Sequence, residues 1–321
     1  MLLTPEQTRA LYGHAVKNRY AILAVNADSP AAITDCLLAA RECDAPIIIE
    51  TSLWQLTGHS FGAGNPILGM DRYLSDLRTI ADSKRFAEVP VVYHTDHIKG
   101  PDTQRILEHA IASGASSVSL DSSDLSREEN IELMSSLCQF AADHSFPATL
   151  EMEAGVDDGV TPLEETDELF GAVEKVHPEY LSLWAPGVGT QHGLGSDPNA
   201  FSAEAVQEHR SRASEIAGRE IGIALHGSSG LGEEQLSSAV AAGVAKVNWS
   251  SESLLIRSQA ARSYYAENAG KLENGHSDFK NTAMDHGVQS FVSSAYVSRV
   301  EARVRSLGGM GRGTSFWEGN R

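Results

Sequence analysis

Within the stretch VPVVYHTDHIKG at positions 89–100, two histidines and an aspartate arrive within four positions: His94, Asp96 and His97. A carboxylate beside an imidazole suits metal-assisted chemistry, in which one group holds a cation and the other moves a proton. The apolar, β-branched residues Val89, Val91 and Val92 ahead of them predict a short strand of the kind buried in a parallel sheet. Alternate strand residues share a face, so His94 and Asp96 point one way, and His97 falls just past the end, where the chain turns. Taken alone, the cluster also reads as a polar strand end with hydrogen-bonded histidines.

The elements that must position these groups follow from the rest of the chain. With 321 residues, 41% of them hydrophobic, the sequence can fill one barrel-sized core or two small ones. The 25 basic and 43 acidic side chains leave a net charge of -18, which argues against nucleic acid and anionic membranes as main partners. The cysteines Cys36, Cys43 and Cys138 lack metal-type spacing and fit a reducing cytoplasm. With no charged-then-apolar start and no apolar run of about 18 residues, a soluble, cytoplasmic protein is expected.

Thr4, Pro5 and Gln7 form a helix start with a capping box, and the helix is predicted to run to about Asn18. Short buried strands are predicted at 21–27, 46–50, 89–95, 116–121, 147–153, 179–185, 221–227 and 243–249. Helical patterns fall between them at 31–43, 71–86, 101–113, 126–144, 164–176, 201–217 and 232–242. The glycine-rich stretch 55–70 reads as a long loop of the functional sort. Strand–helix alternation implies a parallel sheet, and eight repeats in about 250 residues is the count of a (β/α)₈ TIM barrel, an α/β fold. Further helices are predicted at 252–270 and 284–306, so residues 1–321 read as a single barrel domain with 253–321 a helical C-terminal extension.

On this plan Asn26, Glu50, Asp96, His97, Asp121, Glu153, His226 and Asn248 all fall at the C-terminal ends of strands, and His192 follows strand six. That rim is where barrel active sites are built. His97, His192 and His226 come from strands three, six and seven, and three imidazoles with an open fourth position is the pattern of a catalytic zinc site. His14, His109, His144, His177 and His209 lie on helices or connections and read as surface residues; His59 sits in the glycine-rich stretch without an assignment.

Here the motifs carry a resemblance. HTDH at 94–97, SVSLDSS at 117–123, LEMEAG at 150–155, QHG at 191–193, LHGSSG at 225–230 and GVAKVNWSSE at 243–252 together resemble the class II fructose-bisphosphate aldolases and related ketose-bisphosphate aldolases, in the family's order. The resemblance implies a metal-dependent barrel, homodimeric or homotetrameric, of carbohydrate metabolism. It would cleave a phosphorylated ketose, by default fructose 1,6-bisphosphate, to dihydroxyacetone phosphate and an aldehyde through a metal-stabilised enediolate. It implies that His97, His192 and His226 are Zn²⁺ ligands, with Glu153 close to the metal, and that Asp96 is the proton-transfer group. It further implies that Gly193, Gly227, Ser229, Asn248, Ser250 and Ser251 hold the phosphate end, with Asn26 beside them. The physics agrees: a Lewis acid stabilises an enediolate, and glycine-rich turns after strands seven and eight offer free N–H groups to a phosphate.

The sequence also departs from the family. The loop after strand five is short, and its usual glutamate is missing, with Asp157 or Asp158 as candidate replacements. Ser250 stands where an aspartate is usual, and Leu194-Gly195-Ser196 where a lysine often follows the QHG motif. Lys99, in the unusual IKGPDT segment, either meets a substrate anion or is solvated; Arg303 and Arg305 read as surface arginines or, alternatively, as ligands for a distal phosphate across a dimer. Two rival readings use the same fold: a Schiff-base aldolase built on Lys246, and a non-catalytic ligand-binding barrel subunit. An aldolase of the same family acting on a different phosphorylated sugar is a third alternative.

Overall fold

Helix α1 (Pro5–Asn18) starts as the sequence dictates: Thr4 and Gln7 exchange hydrogen bonds in a capping box, and Pro5 occupies the first turn. The computed structural model describes residues 1–321 apart from Ala148, Val156, Asp158, Ser196 and Arg321. After α1 the chain alternates β1 (Ile22–Asn26), α2 (Pro30–Glu42), β2 (Ile47–Thr51), α3 (Leu53–Thr57), α4 (Pro66–Ala81), β3 (Val91–Thr95), α5 (Thr103–Ala112), β4 (Val118–Leu120), α6 (Arg127–Asp143) and β5 (Leu150–Glu153). A π-helical turn (Thr166–Gly171) runs into α7 (Ala172–Val176), then come β6 (Leu181–Ala185), α8 (Ala203–Ala217), β7 (Gly222–Leu225), α9 (Glu233–Ala242) and β8 (Val244–Trp249). Helices α10 (Ser251–Glu267), α11 (Phe279–Ala283), α12 (Asp285–Ser306) and α13 (Arg312–Gly319) complete the chain.

The eight strands form one sheet in the order β3-β2-β1-β8-β7-β6-β5-β4. A lone parallel bridge between His94 and Ser117 joins its two outer strands and closes the ring. This is the expected TIM barrel. Strand residues pointing outward, such as Val25, Ile49 and Tyr93, pack under the helices in the larger core. Inward residues instead stack in three levels. The floor is apolar: Ile22, Ile48, Val92, Leu183 and Ala224 meet Leu11 of α1 and Phe316 of α13. One inward step higher stand Glu50, His94, Glu151 and Lys246, all fully buried. The next step brings Asn26, Asp96, Glu153 and Asn248 to the mouth.

Several expectations are corrected. The stretch 55–70 is not a long loop: it holds most of α3 and the start of α4. Its glycines serve close packing, because a Cβ on Gly62 or Gly69 would lie 1.7 or 1.9 Å from the Leu56 carbonyl oxygen. α10 directly follows β8 and is the barrel's eighth helix; α12 packs on α10 and α2. His209 is not a surface residue. It is buried, with Nε2 on the Thr161 carbonyl (2.9 Å) and Nδ1 on the Thr166 hydroxyl (2.7 Å). Arg303 is likewise buried rather than exposed, donating to the Leu231 carbonyl and to Glu252, whereas Arg305 is exposed.

Candidate active site

β3 ends at Thr95, and the residue after it, Asp96, lies against the two neighbouring mouth asparagines. Asn26 donates to one of its oxygens at 2.9 Å and Asn248 to the other at 2.8 Å. Burial would raise its pKa, but the His97 and His226 imidazoles, Lys246 and the Asn26 hydrogen bond outweigh that and hold Asp96 ionised. The next residue turns sharply. His97 adopts a left-handed φ of 48°, a conformation that costs a β-carbon residue about 1–3 kcal/mol and is sustained only by firm surroundings. The turn aims its ring across the mouth.

Two other imidazoles meet it there. His97 Nε2 lies 2.7 Å from His192 Nε2 and 3.0 Å from His226 Nδ1. The far nitrogen of each ring is engaged by a carboxylate. His97 Nδ1 meets Asp121 at 2.8 Å and Glu153 at 3.1 Å, His192 Nδ1 meets Asp157 at 2.9 Å, and His226 Nε2 meets Glu151 at 2.8 Å. Such outer hydrogen bonds fix the tautomer and leave the inner lone pairs pointing at one another, the arrangement of histidines that share a cation. Burial lowers the His192 pKa, and the neighbouring rings lower it further. His97 behaves oppositely: burial opposes its charging, yet Glu153, Asp96 and Asp121 raise its pKa well above the usual histidine value. The donor set, three imidazole nitrogens among carboxylates, fits a divalent metal such as zinc.

Glu153 is buried beside this group; Ser119 donates to one of its oxygens, while the other lies 3.1 Å from His97 Nδ1 and 3.7 Å from His226 Nδ1. Asp96, His97, Glu153 and His226 together form a second possible cation-binding set. Gly227 makes the convergence possible. Its φ is +63°, and a Cβ there would lie 2.7 Å from the Gln191 carbonyl oxygen, so only glycine lets the strand-seven turn close on the loop carrying His192.

A cavity of about 530 Å³ opens over the histidines. Asn26, Gly193, Gly227, Ser229, Asn248, Ser250 and Ser251, the residues expected at the phosphate end, all line it. Ser250 and Ser251 stand at the start of α10, whose dipole suits an anion; the Glu252 N–H of that turn donates to the Ser229 hydroxyl at 3.2 Å. Asp121, Lys99 and Ser123 line another part, with Lys99 Nζ 3.1 Å from Asp121 and 3.3 Å from Asp124. Asp157 holds both the backbone N–H and the ring of His192, so it is a brace for that residue rather than a free stand-in for the missing glutamate; Asp158 and Ser196 lie outside the described residues. Glu50 does not line the cavity: it faces Lys246 below the mouth, 3.4 Å away.

Three participants escaped the sequence reading. Glu151 is legible only in hindsight, from the Glu-x-Glu alternation of LEME, which puts Glu151 and Glu153 on one face. Asp121 falls on the rim by strand position, but nothing in the sequence marks its contact with His97. Trp54, on α3, lines the cavity mouth with 85% of its surface exposed.

The sequence profile of the family described as Fructose-bisphosphate aldolase class-II matches residues 6–312. The fructose-bisphosphate aldolase of Ureaplasma parvum is 27% identical over 262 residues, which cover 81% of this chain and 83% of that protein. The crystal structure of a fructose-bisphosphate aldolase from Campylobacter jejuni superposes with a TM-score of 0.82 at 21% identity, covering 96% of both chains. The crystal structure of the YdjI aldolase from Escherichia coli gives 0.71 at 22% identity, covering 95% of this chain and 98% of that one. At these identities the structural likeness speaks for the fold.

Proposed function

Because this chain belongs to the class II fructose-bisphosphate aldolase family, a family of lyases, we propose that it is a zinc-dependent aldolase that cleaves a phosphorylated ketose to dihydroxyacetone phosphate and an aldehyde. The observation that carries this reading is the meeting of His97, His192 and His226 through nitrogens 2.7–3.0 Å apart, with Asp96 3.8 Å from both His97 and His226. These three histidines would hold the metal, with Glu153 adjoining them. A divalent cation there supplies a Lewis acid that draws charge from the substrate carbonyl.

The chain's own groups do the rest. The Ser250–Ser251 end of α10 and the turns at Gly193, Gly227 and Ser229 hold the phosphate. Asp96, ionised and kept in place by Asn26 and Asn248, takes the proton from the hydroxyl on the carbon being released. The carbon–carbon bond breaks, its electron pair passes into the enediolate of the retained half, and the aldehyde departs; the enediolate takes a proton from water at carbon to give dihydroxyacetone phosphate, and Asp96 returns its proton to solvent. Hydrogen bonds from two buried asparagines leave Asp96 no freedom to wander, so the geometry for proton transfer exists before substrate arrives.

Neither rival is favoured. Lys246 has its amine 3.0 Å from Glu151 and 3.4 Å from Glu50. Burial would lower its pKa, but those carboxylates raise it well above the usual lysine value, so it lacks the free lone pair a Schiff base requires. A mere binding subunit has no use for a base held beside three cation-seeking imidazoles. The test is a cleavage screen of phosphorylated ketoses with the chelated and zinc-reconstituted protein. Zinc-restored cleavage, with one metal per chain by elemental analysis, is expected. Cleavage that survives chelation and is trapped by borohydride would overturn the reading.

A further inference from the structure

The two ends of the active-site cavity differ in kind. One end, at Ser250 and Ser251, is built from backbone N–H groups and hydroxyls suited to a phosphate. Away from these, the cavity is lined by Ser52, Leu53 and Trp54 after β2 and by Lys99, Asp121 and Asp124 after β3 and β4. Among the described residues lining the cavity, Lys99 is the one amine or guanidinium, and it is already bridged to Asp121 at 3.1 Å, to Asp124 at 3.3 Å and to the Ser123 hydroxyl at 2.9 Å. Arg127, in an adjoining cavity that shares Ser123 and Gly155, is paired with Glu168 at 2.6 Å. A second phosphate here would meet the Asp121 and Asp124 carboxylates, with no unpaired cation of this chain among the described lining residues.

Trp54 supplies what an uncharged group needs. Its backbone is fixed by the capping box at the start of α3, where the Ser52 hydroxyl accepts from the Trp54 N–H at 3.2 Å and Gln55 reaches back to the Ser52 N–H at 2.8 Å. Ser52 and Gln55 are buried, so the turn is firm while the indole stands 85% exposed over the mouth. A flat aromatic face packs well against the C–H surface of a polyhydroxylated chain, and the Asp124 carboxylate lines the same cavity as an acceptor for hydroxyls.

Building on the aldolase reading above, we infer that the substrate carries one phosphate only: a ketose 1-phosphate whose far end is uncharged and rests on Trp54. The released aldehyde is then a neutral hydroxyaldehyde. In the reverse direction, the enediolate of dihydroxyacetone phosphate attacks that aldehyde, a carbon–carbon bond forms, and the protonated Asp96 returns its proton to the new hydroxyl. The reaction that supplies this substrate must be a kinase acting on the first hydroxyl of a ketose, with no second phosphorylation.

Zinc-loaded protein is incubated with dihydroxyacetone phosphate in deuterated water, and then with D- or L-glyceraldehyde or with D-glyceraldehyde 3-phosphate. Exchange of the carbon-bound proton reports the aldolase reading alone. Addition to the aldehydes reports the far end. At least ten-fold higher kcat/KM for a neutral glyceraldehyde is expected, with Trp54→Ala lowering it five-fold or more, chiefly through KM, and Trp54→Phe largely restoring it. Exchange accompanied by preferred addition of the phosphorylated aldehyde, or by addition of none, overturns the inference and leaves the aldolase reading standing. A Trp54→Ala protein whose kinetics are unchanged but whose oligomer falls apart also overturns it, by showing that the indole serves a subunit contact. Absence of exchange removes both readings together.

Discussion

Replacing Asp96 by asparagine keeps the shape of the side chain and removes its charge and basicity. In the native site both carboxylate oxygens accept from asparagine amides, at 2.9 Å from Asn26 and 2.8 Å from Asn248. The substituted side chain would present one acceptor and one donor, so one neighbouring amide must turn over. That is cheap here, because Asn26 Oδ1 and Asn248 Oδ1 are both buried without a hydrogen bond and either can accept from the new amide. The fold should therefore survive. Loss of a positioned base typically costs 10²–10⁴ in rate, or about 2.7–5.4 kcal/mol of barrier. The lost charge also weakens cation binding, since at about 4 Å and an effective dielectric of 20 a carboxylate charge contributes about 4 kcal/mol for each unit of cation charge. The assay accordingly holds zinc in excess and measures zinc content, the unfolding midpoint and single-turnover cleavage on the same preparation. A native midpoint, full zinc and cleavage down at least 100-fold are expected. Full zinc with cleavage within about three-fold of wild type would refute the assignment of Asp96.

Gly227→Ala should cost about 1–3 kcal/mol for its left-handed backbone and push the Gln191 carbonyl away, separating His192 from His226; a zinc titration should show weaker binding, and unchanged affinity would contradict the close approach described. Stability should fall as pH drops below about 6.5, because burial lowers the pKa of His209, so the unfolded chain binds a proton that the folded one refuses. The slope from this one group reaches at most about 1.4 kcal/mol per pH unit. Chemical denaturation between about pH 5 and about pH 7, the range that brackets an ordinary histidine, should show part of that slope vanish in His209→Gln, and an unaltered slope would rule the group out.

Much of this molecule can be read from its sequence, for reasons that differ by element. The strands announce themselves because PIIIE or GVAKVNW can only be satisfied between two covering layers, and strand ends then fix which polar residues reach the mouth. The convergence of His97, His192 and His226 follows once strands three, six and seven lie in a ring. Glycine misled the reading at 55–70, where Gly62 and Gly69 admit the Leu56 backbone rather than loosen the chain. With that segment read as loop, Trp54 had no helix to present it. His209 and Arg303 were misjudged because helical position does not reveal what lies opposite: Thr161 and Thr166 in one case, Leu231 and Glu252 in the other. Alternation predicts which way Glu151 faces but not that His226, His94 and Lys246 would all meet it.

The buried level beneath the mouth has a consequence for how such a chain can drift over generations. Lys246 leans on Glu151 and Glu50, and Glu151 in turn holds His226 and approaches His94. Stranding any one of these charges away from water is costly, about 3–5 kcal/mol for a broken buried pair, and the effects cannot add independently. Inheritance must therefore treat the strands that supply Glu50, Glu151 and Lys246 as a linked set: a lineage exchanges these three for neutral residues together more cheaply than one at a time. Lys246→Met should accordingly be tolerated better beside Glu50→Gln and Glu151→Gln than alone, and a triple variant less stable than the single one would sever that linkage.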